Sequence, residues 1–275
     1  MATANQARHH AIIFSLLLGV SFLPNLAMAL SSPLSTKSIA IIGGGNVGST
    51  IAISILQAPQ AMLPVKVLIG ARNVDGTRAK LQENGKGQLT VSPVDDAIRE
   101  CDVLILTVPG GHDDDDIAAI VASLGGDEAV RDKIIIDATN PLSSFADGLQ
   151  VRWGSTKSGG EVLQDCVPSA RVYKAFNTLG VELMVRPRSE RNVDMLYCGG
   201  AGGDDGARAV VHAVIAAVGF TPRYVGPIRY ARNLEAMAEL WIHAAIPSLP
   251  GAQLGRDWSF GMNGNLATDT TKEDS

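Results

Sequence analysis

Lys37–Thr50 reads KSIAIIGGGNVGST. A short apolar strand, Ser38–Ile42, runs straight into Gly43-x-Gly45-x-x-Gly48, and an apolar helical pattern continues from Ser49 to Leu56. In that setting each glycine has a task. Gly43 permits the tight turn, Gly45 lets the backbone approach a pyrophosphate, and Gly48 lets helix and strand pack closely. The helix start then offers free N–H groups and a positive dipole end to phosphates. With a strand before and a helix after, the stretch reads as a dinucleotide-binding turn, with Gly43, Gly44, Gly45, Asn46, Val47 and Gly48 as its lining.

The second strand, Val65–Arg72 (VKVLIGAR), ends about where a ribose-reading residue belongs, roughly twenty residues past the glycines. A site built for NAD carries Asp or Glu there. This chain has Ala71-Arg72-Asn73, with Arg78 further on. A guanidinium suits a 2′-phosphate through its paired donors, and Asp75 is the one carboxylate nearby. The reading is NADP rather than NAD.

The chain has 275 residues, 46% of them hydrophobic and 19% charged, with 29 glycines, which suits one large α/β domain. A net charge of −5 argues against a nucleic-acid partner. The three cysteines, Cys101, Cys166 and Cys198, match no zinc or redox spacing and read as buried free thiols. The N-terminus points elsewhere: Arg8 precedes the apolar run Ala11–Phe22, then Pro24, then Ala27-Met28-Ala29 as a cleavage site. Such a signal peptide implies the secretory pathway or an onward route to a plastid-like organelle, and a cytoplasmic location if it is not used. Left uncleaved, Ala11–Leu30 is long enough to span a bilayer, the one route by which a membrane partner enters.

Further on, strands and helices alternate as a parallel sheet with helices on both faces requires. Strands are predicted at Leu89–Val91, Asp102–Val108, Lys133–Asp137, Ala170–Phe176, Met195–Cys198 and Thr221–Val225. Helices are predicted at Pro93–Glu100, Ile117–Leu124, Asp204–Val218 and Arg229–Ala245. Leu142–Val167 interrupts the pattern and reads as a lid-like loop with one helix near Gly160–Asp165. Leu234, Met237, Ala238, Trp241 and Ile242 form an apolar stripe, suited to the core or to a homodimer contact. The expected division is a signal peptide over 1–29, a linker over 30–36, an NADP-binding Rossmann domain over 37–200, the C-terminal part of that domain over 201–260, and a disordered tail over 261–275. The fold class is α/β: doubly wound, mostly parallel, with a small C-terminal helical segment.

Further blocks carry a family resemblance: Thr107-Val108-Pro109 with His112; Asp137-Ala138-Thr139-Asn140-Pro141-Leu142; Lys174-Ala175-Phe176-Asn177-Thr178; Tyr197-Cys198-Gly199-Gly200 before Asp204-Asp205; and Val225-Gly226-Pro227-Ile228-Arg229-Tyr230-Ala231-Arg232 with Leu234-Glu235. In this order they resemble the deazaflavin-dependent NADP reductases, a family related to the oxidoreductase domain of the six-transmembrane metalloreductases. The resemblance implies that Gly44–Gly48 hold the pyrophosphate and Arg72 the 2′-phosphate. It further implies that Thr107–Pro109 line the nicotinamide ribose, that Asn140 lies near the carboxamide, and that Lys174–Thr178 form the opposite wall. Two departures stand out. Ala71 replaces a hydroxyl residue common before the arginine, and Gly110-Gly111 replace a bulkier residue, which implies a wider pocket.

Hydride transfer to a flavin-like ring needs geometry more than side-chain acids, so the lack of a triad fits that chemistry. His112 and Lys174 are the catalytic candidates, His112 also reading as a surface helix cap and Lys174 as a strand-end cap. Asp113–Asp116 do not read as a metal site, because helical neighbours diverge by about 100°; acids favour a helix start. No metal is expected. The function expected is hydride exchange between NADPH and a flavin-like or other small redox acceptor. An imine or carbonyl reductase drawing a proton from His112, Lys174 or Tyr173 is the alternative, and a non-catalytic NADP-binding sensor is another.

Overall fold

The computed structural model describes residues 32–143, 150–186, 192–200, 204–246 and 254–261. The signal segment, residues 30–31 of the linker, part of the loop after Leu142 and the tail from 262 lie outside the described residues. In order, the elements are β1 (Ser38–Ile42), α1 (Asn46–Leu56), β2 (Lys66–Gly70), α2 (Val74–Glu83), β3 (Val91–Ser92), α3 (Val94–Glu100), β4 (Val103–Leu106), α4 (Asp114–Ser123), α5 (Gly126–Ala129), β5 (Ile134–Asp137), α6 (Gly159–Cys166), β6 (Arg171–Lys174), α7 (Val181–Met184), β7 (Asp194–Gly199), α8 (Asp205–Val218), β8 (Thr221–Tyr224) and α9 (Ala231–Ala245).

Alternation along the strands builds two cores at once. Ile39 and Ile41 of β1 join one hydrophobic cluster, while Ala40 and Ile42 join the other, because successive strand side chains point to opposite faces. A sheet apolar on both faces must be covered on both. One cover comes from α1 and α8, through Ile51, Ile55, Val211 and Val214. The other comes from α3, α4 and α6, through Ile98, Ile117, Val121, Val162 and Leu163. The described strands form one sheet in the order β3-β2-β1-β4-β5-β6-β7-β8, parallel except where β7 runs antiparallel to β6. The first six positions follow the doubly wound order, whose chain reversal between β1 and β4 opens a crevice beyond the strands' carboxyl ends.

Most predicted elements stand, with shifted ends. The first helix begins three residues earlier than expected, at Asn46, and β2 stops at Gly70, leaving Arg72 outside the strand. The predicted strand at Leu89–Val91 is the two-residue β3 instead. The predicted open loop after Leu142 is partly tied down. Leu142 bridges Val151, Val151 N–H donates to Glu239, and α6 starts at Gly159 under a Ser158 cap. The apolar stripe of α9 belongs to the chain's own core, since Leu234, Ala238 and Trp241 are buried within it.

Between those apolar residues sits Glu235, fully buried, which the stripe pattern did not flag. Its Oε1 lies 3.0 Å from Lys174 Nζ, and Lys174 Nζ lies 2.9 Å from Asp137 Oδ2. Glu235 also accepts the Gly159 and Gly160 N–H groups that open α6. Asp137 accepts the Thr139 N–H and hydroxyl. One ammonium thus joins β5, β6 and α9, and the carboxylate on α9 caps α6. Burial alone would drive the proton off Lys174, but the charges of Asp137 and Glu235 override it and hold the ammonium above its ordinary pKa.

Lys174→Met strands two carboxylates in the interior and should cost about 3–5 kcal/mol of stability, read as a lower urea midpoint. Because folding raises the Lys174 pKa, its contribution is fully present below the ordinary lysine value of about 10.4. It is lost as pH climbs through the raised folded value. An unchanged midpoint for Lys174→Met at neutral pH would show that the ammonium does not hold these elements together.

Candidate functional site

The glycine turn is shaped by one residue from the neighbouring strand. Thr107, just past β4, places its hydroxyl 3.1 Å from Ile42 O and 3.0 Å from Gly43 O. A Cβ on Gly48 would stand 2.4 Å from that hydroxyl and 2.1 Å from Gly43 O, so only glycine fits there. Gly43 adopts φ +117°, a conformation open to glycine and rarely to other residues. At Gly45, by contrast, a Cβ would meet nothing within 4 Å. The turn is therefore packed on its sheet side and open outward. α1 begins there without a side-chain cap and without an acid in its first turn, leaving the first N–H groups of Asn46, Val47 and Gly48 to an anion. This is the fit that a pyrophosphate requires.

Arg72 is exposed beyond β2, adjoining the turn through the β1–β2 pairing and a Gly43 N–H bond to Gly70 O. Among the described residues it has no ion pair. Asp75, the nearby carboxylate, is instead paired with Arg78 at 2.8 Å, which offsets its repulsion of a phosphate. Asn73 caps α2 by accepting the Gly76 N–H. Ala71 is buried in the core, so the residue before the arginine serves packing. Lys86 adds a contact that sequence reading missed: its ammonium reaches the Ser49 and Thr50 hydroxyls of α1, and partial burial lowers its pKa.

On the other side of the crevice, the loop after β4 lies against the loop after β5. A Cβ on Gly110 would sit 2.1 Å from Asn140 O, and one on Gly111 would sit 2.8 Å from Ile117. The glycine pair therefore lets the two loops approach closely. Val108 is half-buried against the core and Pro109 is exposed. The Thr107 hydroxyl proton is committed to the turn, where it meets Ile42 O and Gly43 O. Asn140 donates to Asn177 O at 3.2 Å, and Asn177 Nδ2 donates to Asn140 Oδ1 at 3.1 Å. The blocks after β5 and β6 thus meet through their two asparagines.

The catalytic candidates part company. His112 is exposed at the mouth of β4, its backbone N–H bonded to Asp116. Lys174 lies inside the sheet rather than at its open edge. The cavity beside its partner Asp137, lined by Leu106, Ile117, Thr139 and Gly159, measures about 10 Å³, room for one water at most. A substrate has no approach to that ammonium. Tyr173 is buried, and burial raises its pKa. Burial likewise pushes the Cys101 and Cys198 thiols up, to about 11 and about 12, consistent with inert free cysteines. The acidic run is a helix start: Asp113 caps α4 by accepting the Asp116 N–H. Asp114 does more, accepting from Trp153 Nε1 and Lys157 Nζ and so clasping the segment after the loop.

Residues 38–141 match the family described as NADP oxidoreductase, coenzyme F420-dependent. The metalloreductase STEAP3 of Rattus norvegicus is 25% identical over 205 residues, 74% of this chain and 37% of that protein. The F420-dependent NADP reductase of Methanothermobacter marburgensis is 29% identical over 161 residues, 54% of this chain and 66% of that one. The chain thus spans about a third of the first relative and just under two thirds of the second. Among solved structures, an Arthrobacter protein described as a candidate F420-dependent NADP reductase shares the fold. Its TM-score is 0.66 at 24% identity, over 83% of this chain and all of that one. An imine reductase from Aspergillus terreus shares the fold more loosely, with a TM-score of 0.51 at 17% identity, over 77% of this chain and 66% of that one. Over residues 38–141, which hold its glycine turn, Arg72 and the loops after β4 and β5, the chain is similar to the NADP oxidoreductases that depend on coenzyme F420.

Proposed function

We propose that this protein is an NADP(H)-dependent oxidoreductase exchanging a hydride with a flat, flavin-like redox ring. One observation carries the reading: a glycine turn packed inward by Thr107 and open outward at an uncapped helix start, with Arg72 exposed one strand away. Gly43–Gly48 would hold the pyrophosphate, Arg72 the 2′-phosphate, and the loops ending in Pro109 and Asn140 the nicotinamide half. The nicotinamide supplies the hydride chemistry; the chain's own part is to orient the ring, exclude water and neutralise phosphate charge. The deazaflavin or a related ring is favoured as acceptor by the activity for which the Methanothermobacter relative is named.

A proton-coupled reaction, as in imine or carbonyl reduction, has less support. Of its three candidate donors, Lys174 and Tyr173 are closed inside the core and His112 alone is exposed. We further propose, on the composition of residues 1–29, that the N-terminal segment is a cleaved signal; the mass of the mature N-terminus tests it.

The cofactor reading is tested by titrating NADPH and NADH into wild type and Arg72→Ala. Loss of a charged phosphate contact should weaken NADPH about tenfold to a hundredfold and leave NADH nearly unchanged; equal losses for both would remove Arg72 from the phosphate site. For the chemistry, His112→Ala should leave turnover with a deazaflavin or flavin acceptor within about threefold. A fall of about a hundredfold, the size of a lost general acid, would move the function to proton-coupled reduction.

A further inference from the structure

Another cavity lies at the far edge of the sheet, where the parallel strands begin. It measures about 620 Å³ and is lined by α3, the end of α4, α5 and the turn that leads into β5. The glycine turn and the crevice stand at the carboxyl ends of the same strands, so this cavity is separate from them. Ile98 and Leu124 form an apolar floor, both buried in the core. Arg99, Arg131 and Lys133 line its sides, against Asp95 as the one carboxylate of the lining. Three cations to one acid reverse the balance of the whole chain, whose net charge is −5.

Each cation is held in place without being used up. Lys133 Nζ donates one proton to Cys101 O at 2.8 Å and has no ion pair among the described residues, which leaves two protons to give. A carbonyl carries no net charge, so the contact fixes the ammonium without neutralising it. Arg131 pairs with Glu128 and Arg99 with Asp96, each pair on the surface and three residues apart. Surface pairs of this kind are worth little and yield to a partner that is better desolvated.

The backbone sets the cationic wall. Gly125 and Gly126 take φ +89° and +77°, turning the chain sharply between α4 and α5. Asp132, between Arg131 and Lys133, takes φ +61°. Its N–H donates to Ser169 O and its carbonyl accepts from Arg171, both at 3.0 Å. The turn is thus anchored by the start of β6 while the cations on either side of Asp132 line the cavity.

A volume of this size holds a small organic molecule, whereas a protein partner needs a far broader face. Fixed cations around an apolar floor match a molecule with an anionic group on a compact apolar body. We propose that this cavity is a second ligand site, which takes a small organic monocarboxylate. Its carboxylate meets Lys133 and Arg131, and its aliphatic or aromatic body lies over Ile98 and Leu124. Asp95, one turn up α3 from Arg99, repels a second anionic group and so disfavours dicarboxylates.

Titrating the isotope-labelled full chain with octanoate, octanol and suberate, followed by amide chemical shifts, tests the site. Octanoate should shift the amides of residues 123–133 saturably and bind at least about tenfold more tightly than octanol. Suberate, the dicarboxylate of equal length, should bind more weakly than octanoate. Lys133→Gln combined with Arg131→Gln should weaken octanoate about tenfold or more. Ser123→Trp, a change at an exposed position of the lining, fills the space with every charge intact and should abolish octanoate binding. Octanol binding as tightly as octanoate overturns the proposal, because the cations then play no part. Suberate binding as tightly as octanoate, or more so, overturns it as well, reducing the site to a charged patch. So do shifts that fall elsewhere, or octanoate affinity that survives in Ser123→Trp.

Discussion

Burying Lys174 between Asp137 and Glu235 is the interaction on which the carboxyl edge of the sheet depends. The three groups come from β6, β5 and α9, segments far apart in the chain. Buried charges are tolerated only when paired and hydrogen-bonded, and here the pairing extends into backbone. Glu235 closes the start of α6, and Asp137 closes the turn at Thr139 that leads to Asn140. An arrangement of this kind contributes less to net stability than an apolar core of equal volume would. What it supplies is register, since a one-residue slip of either strand would leave an ion without its partner.

The dinucleotide turn shows the same economy of parts. Thr107 draws β4 against the glycines with a single hydroxyl, and Gly48 leaves the space that this hydroxyl needs. The rigid inner side of the turn allows the outer side to stay bare. N–H groups that are elsewhere capped, as Asn73, Asp113, Ser158 and Asp204 cap their helices, stay without a side-chain cap at this helix start and so suit an anion. Preorganised donors of this kind cost nothing to arrange when the ligand arrives.

Around this centre two peripheral segments are pinned by specific polar contacts. Asp114 holds Trp153 and Lys157, tying the segment before α6 to the start of α4. Near the C-terminal end, Trp258 stacks on Trp241 and accepts its indole N–H, with Phe260 edge-on at 4.8 Å. Arg256 and Asp257 add ion pairs to Glu182 and Arg186. Both anchors lie on elements already set by the sheet, so the rim follows from the core.

The order of strands and helices, the glycine turn and the placement of Arg72 were legible in the sequence by itself. They rest on local rules: alternation of apolar residues, turn chemistry and the spacing of a strand, a loop and a helix. Asn140 and Lys174 were visible as polar residues ending apolar strands, but their roles were not. Whether such a residue meets ligand or another side chain depends on what packs across it, and Glu235, hidden inside an apolar stripe, approaches Lys174 from 61 residues away. The contact at Gly110 was not legible either: a glycine in sequence looks like empty space, whereas here it admits the Asn140 carbonyl. Only the tertiary structure decided that Lys174 is enclosed. Burial and hydrogen-bond satisfaction are properties of neighbours brought together by folding, and local sequence carries no record of them.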